Sequence, residues 1–264
     1  MKLVNLHNHT SLCGHARGTM DEYIISAREK GIAVMGFSDH APLPSHLRNG
    51  ITMEPEQTEE YIALVENKKI EFDGSMEILL GFEVDFPLHD SFPQKYFTDA
   101  RIDYLIGSCH FIDDWPFDHD DYVHEFDSRD INDVYTRYFE IIGDLVGSRL
   151  FDMVGHFDLV KKFGHRATKD FSATIDRIAG MMSSLDIAAE INTSGLIKPV
   201  KEMYPSDDIL KIFFDNNVPI TLGSDSHSPE HVGYMFDAAL EKIKKAGYTS
   251  LSFFRKRKRY TTPL

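Results

Sequence analysis

The chain has 264 residues, of which 42% are hydrophobic and 12% aromatic, so it can bury a substantial core and is too apolar to be intrinsically disordered. Its formal net charge of −14 disfavours nucleic acid as a partner, and no apolar run reaches the roughly 18 residues that a membrane-spanning helix requires. With two cysteines and no signal-peptide pattern, we expect a cytoplasmic protein without a disulfide framework.

Short apolar runs typical of β-strands alternate with helical periodicity along the chain. The predicted strands cover residues 3–6, 33–37, 76–86, 104–108, 153–154, 187–191 and 218–222, with a further strand at 251–255. The predicted helices cover residues 20–30, 56–70, 131–146, 173–185, 207–216 and 238–246. The stretches 86–100 and 112–130 show no clear periodicity, so they are predicted as loops.

This alternation favours one α/β barrel over two smaller domains. Seven or eight strands are enough to close a barrel, and about 250 residues is a common length for one. Nothing in the sequence resembles an interdomain linker. We therefore predict a single domain over residues 1–264, built as a TIM-like (β/α) barrel.

Residues with metal-binding side chains follow most of the predicted strands. His7 and His9 close the first strand, and Asp225 and His227 follow the seventh, both with the i, i+2 spacing that points two side chains the same way. The full candidate set is His7, His9, His15, His40, Glu83, His110, His156, Asp225 and His227. Because the C-terminal ends of barrel strands meet at one mouth, we predict a metal site there.

The size of this set indicates more than one ion. A catalytic ion usually takes three or four protein ligands, so nine candidates would serve about three divalent ions. Imidazole and carboxylate together suit Zn, Mn or Fe, and a carboxylate such as Glu83 can bridge two ions. Cys13 is an alternative soft ligand, although a small residue packed near the site is the simpler interpretation.

As a set, these motifs resemble the polymerase-and-histidinol-phosphatase (PHP) superfamily. The motifs are His7-x-His9-x5-His15, Ser38-Asp39-His40, Gly81 to Asp85, Gly107 to His110, Gly155-His156 and Gly223 to His227. Three further segments resemble the histidinol-phosphatase branch, namely Asn192 to Gly195, Tyr204-Pro205-Ser206 and Phe254-Arg255. The resemblance implies a distorted (β/α)7 barrel whose trinuclear metal centre hydrolyses a phosphomonoester, here L-histidinol phosphate.

The resemblance also implies which residues share each ion. His7, His9, Glu83 and Asp225 would hold one ion, Glu83 would bridge to a second ion with His110 and His156, and His15, His40 and His227 would hold the third. A metal-bridging hydroxide would attack phosphorus directly, without a phosphoenzyme. Asp225 or His227 could serve the leaving group through the metal centre. Asp39 is a further candidate, or else it orients His40.

Five cations on loops after strand-like segments are candidates for binding the substrate phosphate: Arg17, Lys161, Lys162, Arg166 and Lys198. This chain differs from the family pattern at one position that would also bind the substrate phosphate. The branch usually reads Leu-Arg-Lys-Pro where this chain has isoleucine at position 197. Isoleucine cannot replace the bidentate fork of arginine, so another small phosphomonoester is an alternative substrate.

Two other functions stay open. A metal-dependent phosphodiesterase or exonuclease would need a basic groove and stacking aromatic residues, which the acidic charge and the single tryptophan do not favour. A non-catalytic metal-binding domain would typically have lost ligands, whereas this chain keeps all nine. The basic run 255–259 could bind nucleic acid, but an exposed terminal strand with charged edges is the favoured interpretation.

Overall fold

Seven parallel strands, hydrogen-bonded in chain order, organise the molecule. The computed structural model describes residues 2–48 and 50–264. The strands are β1 (Leu3–Asn5), β2 (Ile32–Phe37), β3 (Glu77–Asp85), β4 (Tyr104–Ser108), β5 (Met153–Val154), β6 (Ala188–Asn192) and β7 (Ile220–Gly223). The helices are α1 (Met20–Glu29), α2 (Ser45–Arg48), α3 (Thr58–Glu71), α4 (Ile131–Ser148), α5 (Ser172–Ser184), α6 (Asp207–Asp215) and α7 (Phe236–Ala246).

The first and last of these strands meet and bring the sheet nearly to a closed barrel. The main-chain N–H of Leu6 donates to Leu222 O at 2.9 Å, and that of His9 donates to Ser226 O at 2.9 Å. Asn8 and Ser226 form a parallel bridge between the same two segments. The predicted (β/α)7 barrel is therefore confirmed, and the C-terminal ends of all seven strands face one mouth.

The interior is packed with large apolar side chains, as expected for parallel strands that are covered on both faces. Tyr104 is fully buried, and its hydroxyl donates to Leu6 O at 2.6 Å. A Cβ at Gly36 would lie 2.0 Å from the Tyr104 hydroxyl oxygen, and one at Gly81 would lie 2.4 Å from its ring. The two glycines on β2 and β3 therefore make room for this ring inside the barrel.

The helix ends follow the local sequence. Thr19 and Glu22 form a capping box at the start of α1, and Asp130 caps α4 by accepting from Asn132 N at 2.8 Å. The short helix α2 was not predicted, because four residues give no periodicity to detect. Among the described residues, the helical segments in the two stretches predicted as loops are all 3₁₀, and the longest of them is Asp120–Ser128.

The predicted strand at 251–255 forms, but it does not join the barrel. It is β8 (Ser250–Arg255), which pairs antiparallel with β9 (Lys258–Pro263) in a separate hairpin. The basic run lies in this hairpin, and its arginines pair with acids rather than standing free in solvent.

Each pairing acid lies at or just before the start of a barrel strand. Arg255 Nη2 lies 2.8 Å from Glu77 Oε2, and Arg259 Nε lies 2.9 Å from Asp186 Oδ1. Arg257 pairs with Asp152 and donates to Leu150 O at 2.6 Å. The hairpin therefore covers the N-terminal mouth of the barrel, opposite the strand ends that carry the candidate ligands. Within the described part of the chain, no helix is long and apolar enough to cross a membrane.

Candidate metal centre

The structure brings all nine predicted side chains together at the C-terminal mouth. They lie within or just after the strands β1, β2, β3, β4, β5 and β7, except for His15, which follows the 3₁₀ turn Ser11–Cys13. Their donor atoms form overlapping groups of three in which every pair lies within 4.8 Å. The parallel barrel explains this convergence, because its strands all deliver their last residues to the same edge.

Glu83 is at the centre of the cluster. Its Oε2 lies 3.2 Å from His7 Nε2, 3.5 Å from His9 Nε2 and 3.0 Å from His40 Nδ1. The side chain is 1% exposed, and its other oxygen accepts from Ser108 Oγ at 2.7 Å. Since β3 is flanked by β2 and β4, this one carboxylate reaches donors on both sides of its strand.

A second group lies on the other oxygen of the same carboxylate. Oε1 of Glu83 lies 2.9 Å from His156 Nε2 and 3.5 Å from His110 Nε2. Asp85 accepts from His110 Nδ1 at 2.8 Å, which leaves Nε2 of that ring pointing into the cluster. The two oxygens of Glu83 therefore face two different sets of histidines, as a carboxylate shared by two cations would.

Asp225, which follows β7 beside the segment that carries His7 and His9, completes the first group. Its Oδ1 lies 3.2 Å from His9 Nε2 and 3.7 Å from His7 Nε2. Its Oδ2 accepts from Ser194 Oγ at 3.1 Å. The backbone of Asp225 is in the left-handed region at φ 49°, which a residue other than glycine seldom adopts and which turns the carboxylate into the mouth.

His15, His40 and His227 form the third group, with one donor atom of each within 4.8 Å of the others. Main-chain oxygens hold two of these rings: His15 Nδ1 donates to Cys13 O at 3.1 Å, and His227 Nδ1 donates to Asp225 O at 3.1 Å. Their Nε2 atoms are thereby left with lone pairs. The sulfur of Cys13 also lies within 4.8 Å of donor atoms of His9 and His227.

Several buried donor atoms in this cluster have no hydrogen-bond partner within residues 2–48 and 50–264. They are Nε2 of His7, both ring nitrogens of His9, Oε2 of Glu83 and Nε2 of His227. An unsatisfied buried polar atom costs about 1–3 kcal/mol, so a cluster of them is unfavourable unless something binds there. Imidazole nitrogens around carboxylate oxygens are a donor set that fits divalent transition-metal ions.

The electrostatics of the cluster also favour cation binding. Burial alone would raise the pKa of Glu83, but neighbouring histidines, His7 first among them, hold that pKa well below its ordinary value. Burial and a neighbouring histidine lower the pKa of His15 to about 4. Burial also lowers the pKa of His227 to about 3, against the opposing effect of Asp225. Glu83 is therefore a charged carboxylate and His15 and His227 are neutral, which are the forms that bind metal. Neighbouring carboxylates raise the pKa of His7 and of His110 against the effect of burial, so an ion must displace protons from these two rings.

Two carboxylates that the sequence analysis did not select accept hydrogen bonds from the Nδ1 atoms of candidate ligand histidines. Glu190 accepts from His7 Nδ1 at 2.7 Å, and Asp85 does the same for His110. A single acidic residue inside an otherwise apolar predicted strand was the available signal for Glu190. Asp39 does not orient His40 as one interpretation had it. Both of its oxygens accept from Thr10, and burial raises the pKa of Asp39 to about 7.

The five predicted phosphate-binding cations differ in their surroundings. Arg17 is exposed, its main-chain N–H donates to His227 O at 2.9 Å, and its guanidinium lies 3.4 Å from Glu230. Lys198 is half-buried and forms no ion pair with any described residue. These two cations are therefore the least neutralised of the five.

The other three cations are already paired. Lys161 is buried between Asp158, at 2.7 Å, and Glu202, at 2.9 Å. Arg166 lies 2.7 Å from the same Glu202. Lys162 pairs with Asp118, whose pKa is held below its ordinary value, against the effect of burial, by Lys162 and by His110 and His156.

Comparison with known proteins identifies the family. Residues 5–194 match the model of the family described as PHP domain. The chain belongs to the PHP domain family. This confirms the predicted resemblance. Family membership agrees with a cluster built from the predicted motifs at the barrel mouth.

Two curated relatives of this PHP chain are named as histidinol-phosphatases. A probable histidinol-phosphatase of Deinococcus radiodurans is 38% identical over 254 residues, which cover 95% of this chain and 96% of the relative. The histidinol-phosphatase of Bacillus subtilis is 28% identical over 261 residues, 89% of this chain and 97% of its own. The chain therefore aligns with these relatives along nearly their whole length.

A solved structure shares the fold of this PHP chain. The histidinol phosphate phosphatase of Lactococcus lactis, complexed with zinc, L-histidinol and phosphate, superposes with a TM-score of 0.83. The match covers 98% of this chain and 99% of that structure at 22% sequence identity. Because the sequence identity is this low, the comparison shows a shared fold and nothing further.

Proposed function

We propose that this PHP-family chain is a histidinol-phosphatase, a phosphoric monoester hydrolase that converts L-histidinol phosphate and water to L-histidinol and phosphate. The observation that carries the proposal is a set of buried histidine nitrogens, together with Oε2 of Glu83, that have no hydrogen-bond partner among the described residues. Such a donor set binds the cations on which a family phosphatase depends. The names of the two curated relatives support the substrate.

We infer three divalent ions in one domain over residues 1–264. The first ion takes His7, His9, Glu83 and Asp225, and the second takes Glu83, His110 and His156. The third takes His15, His40 and His227. Zinc is supported by its presence in the Lactococcus lactis structure, while manganese and iron suit the same donor types. Bound cations would supply Lewis-acid stabilisation of the phosphoryl oxygens and a water of lowered pKa.

The roles of the chain's own groups follow from their hydrogen bonds. His227 donates from Nδ1 to a main-chain oxygen, so its Nε2 has a lone pair and acts as a ligand atom rather than a proton donor. Glu83 faces the histidines of the first two groups with its two oxygens, and its Oε2 also lies 3.0 Å from His40 Nδ1 of the third group. Oδ2 of Asp225 accepts from Ser194, and His7 and His9 hold the pKa of Asp225 well below its ordinary value against the effect of burial. Asp225 would therefore serve the leaving group through a bound cation rather than by donating a proton.

For phosphate binding, we propose Arg17 and Lys198 as the direct contacts. The main-chain N–H of Arg17 donates to His227 O, and the guanidinium of Arg17 forms only a long ion pair with Glu230. Lys198 directly follows the 3₁₀ turn Ser194–Ile197. Lys161, Lys162 and Arg166 are neutralised by carboxylate partners, so we assign them no direct contact with the phosphate. The phosphate group of L-histidinol phosphate is an anion, so bound divalent cations together with Arg17 and Lys198 would attract it.

The test is phosphate release from L-histidinol phosphate by protein reconstituted separately with Zn, Mn and Fe. We expect a kcat/KM of about 10⁴ M⁻¹s⁻¹ or more, which is in the ordinary range of enzymes. Other phosphomonoesters and a phosphodiester serve as the comparison panel. Activity confined to another monoester would overturn the proposed substrate, and activity confined to the diester would overturn the proposed class. A positive result would support a role in histidine biosynthesis, which we propose takes place in the cytoplasm.

A further inference from the structure

Glu190 is a buried carboxylate on β6 that accepts three hydrogen bonds beside the metal centre. Its Oε1 accepts from His7 Nδ1 at 2.7 Å. Its Oε2 accepts from the main-chain N–H of His156 at 2.8 Å and from Asn192 Nδ2 at 3.0 Å. The residue is 0% exposed. A buried carboxylate is tolerated only when its lone pairs are satisfied, and here donors from three strand ends satisfy them.

We propose that Glu190 is a positioning residue that fixes the spacing between the first and second ion sites. His7 belongs to the first site and His156 to the second, so the inference rests on the ligand assignment in the proposed function. One rigid carboxylate contacts the ring of His7 and the backbone of His156. A shift of either ligand would break a hydrogen bond to the same group.

The neighbouring strand is shaped to admit this carboxylate. A Cβ at Gly223 on β7 would lie 1.8 Å from Oε1 of Glu190 and 2.7 Å from Cβ of His7. Any side chain at position 223 would therefore displace the carboxylate from the His7 ring. The space at this glycine is what lets Glu190 reach β1 from β6.

The direction of the three hydrogen bonds explains why a carboxylate is needed. All three partners donate, and both oxygens of a carboxylate can accept. The amide of glutamine has only one accepting oxygen. If that oxygen faces His156 and Asn192, the amide nitrogen faces His7 Nδ1, and His7 must then carry its proton on Nε2. That atom lies 3.2 Å from Glu83, so His7 would present a proton where an ion needs a lone pair.

The experiment compares zinc binding by the full chain and its Glu190→Gln variant, measured by competition with a chromophoric chelator and by elemental analysis of bound metal. The control is Asp152→Asn, which removes the charge of a half-buried carboxylate at the opposite mouth of the barrel, where it pairs with Arg257. We expect Glu190→Gln to bind zinc about 10–100-fold more weakly, the usual effect of removing a ligand's supporting group. We expect Asp152→Asn to keep wild-type zinc affinity. Equal affinity in wild type and Glu190→Gln, or equal losses in the two variants, would overturn the inference.

A measurement on the wild type keeps the inference testable if Glu190→Gln does not fold. In zinc-loaded protein with ¹⁵N-labelled histidine, nitrogen NMR reports which ring nitrogen of His7 carries the proton. We expect the proton on Nδ1, and a proton on Nε2 would overturn the inference. Neither measurement uses substrate. Zinc binding that depends on Glu190 in a protein without activity on L-histidinol phosphate would therefore refute the proposed function alone.

Discussion

The Nε2 atoms of His110 and His156 lie 3.3 Å apart. Two imidazoles on one tetrahedral zinc, with Zn–N bonds of about 2.0–2.1 Å, place their nitrogens about 3.3 Å from each other. The two rings come from strand ends 46 residues apart in sequence, and no local constraint sets their separation. This spacing supports the proposal that the two rings share one ion with Glu83.

Glu83→Gln should abolish turnover and metal retention together. The substitution removes the negative charge that both groups of histidines share, and it puts an amide N–H on one side of the site. We expect activity on L-histidinol phosphate to fall to about 1% or less, with fewer bound ions by elemental analysis.

Glu77→Gln is the matched control for Glu83→Gln, because Glu77 lies on the same strand but at the opposite mouth, where it pairs with Arg255. This control should keep its ions and its turnover. Wild-type turnover in Glu83→Gln would contradict the metal-centre assignment.

Zinc affinity should increase with pH. Burial alone would lower the pKa of His110, but Asp85 and Glu83 raise it to about 10, and Glu190 with Glu83 raises the pKa of His7 above its ordinary value. Zinc binds the neutral imidazole, so binding must expel these protons. Below the raised pKa, each proton released makes affinity increase about tenfold per pH unit. Chelator competition between about pH 6 and about pH 9 measures the slope, and an affinity that stays flat or falls would contradict it.

Ile197→Arg should lower the KM for L-histidinol phosphate. Ile197 is 40% exposed on the 3₁₀ turn Ser194–Ile197, which follows β6 at the mouth. A guanidinium there would add a charge-assisted, bidentate contact to phosphate, which we expect to lower KM about tenfold. Steady-state kinetics measure the change. Ile25→Arg is the control, since Ile25 is also exposed but lies on α1. An unchanged or higher KM in Ile197→Arg would show that position 197 does not contact the phosphate.

Arg257→Gln should destabilise the barrel without affecting catalysis. The guanidinium pairs with Asp152 and donates to Phe97 O at 2.9 Å and Leu150 O at 2.6 Å, so its loss leaves a half-buried acid without its counter-charge and two carbonyls without their donor. We expect the free energy of unfolding in urea to fall by about 2–3 kcal/mol, with kcat and KM retained. Lys258→Gln, an exposed change in the same hairpin, should leave stability within about 0.5 kcal/mol. A loss of turnover in Arg257→Gln would show that the two mouths are coupled.

The barrel and the candidate ligands could be predicted from the sequence, because both depend on patterns among residues that are close together in the chain. Apolar runs with short spacing indicate strands, and a residue such as His110 directly after a run must lie at a strand end. Which residues share an ion came from the family resemblance, since nothing local relates His15 to a ring 212 positions away at His227. The assignment of ligands and of phosphate-binding cations stays a prediction until metal binding is measured.

The contacts that the sequence did not predict join distant segments. Glu190 lies inside an apolar run, and its partner His7 is 183 positions away, so no spacing pattern links them. The basic run was recognised, but the acids that neutralise Arg255 and Arg257 begin strands 178 and 105 positions away. Charge patterns along the chain cannot distinguish an exposed basic hairpin from one that is paired with the barrel.

Glu83 also has a consequence for how the protein unfolds. Donors that lie within 3.5 Å of its carboxylate come from residues as far apart in the chain as His7 and His156. An ion shared by such donors closes a very long loop and so restricts the unfolded chain as a cross-link does. The cations that support hydrolysis would thus also be reversible cross-links between the first and second halves of the chain. A chelator would therefore lower the thermal unfolding temperature of the protein as well as its activity.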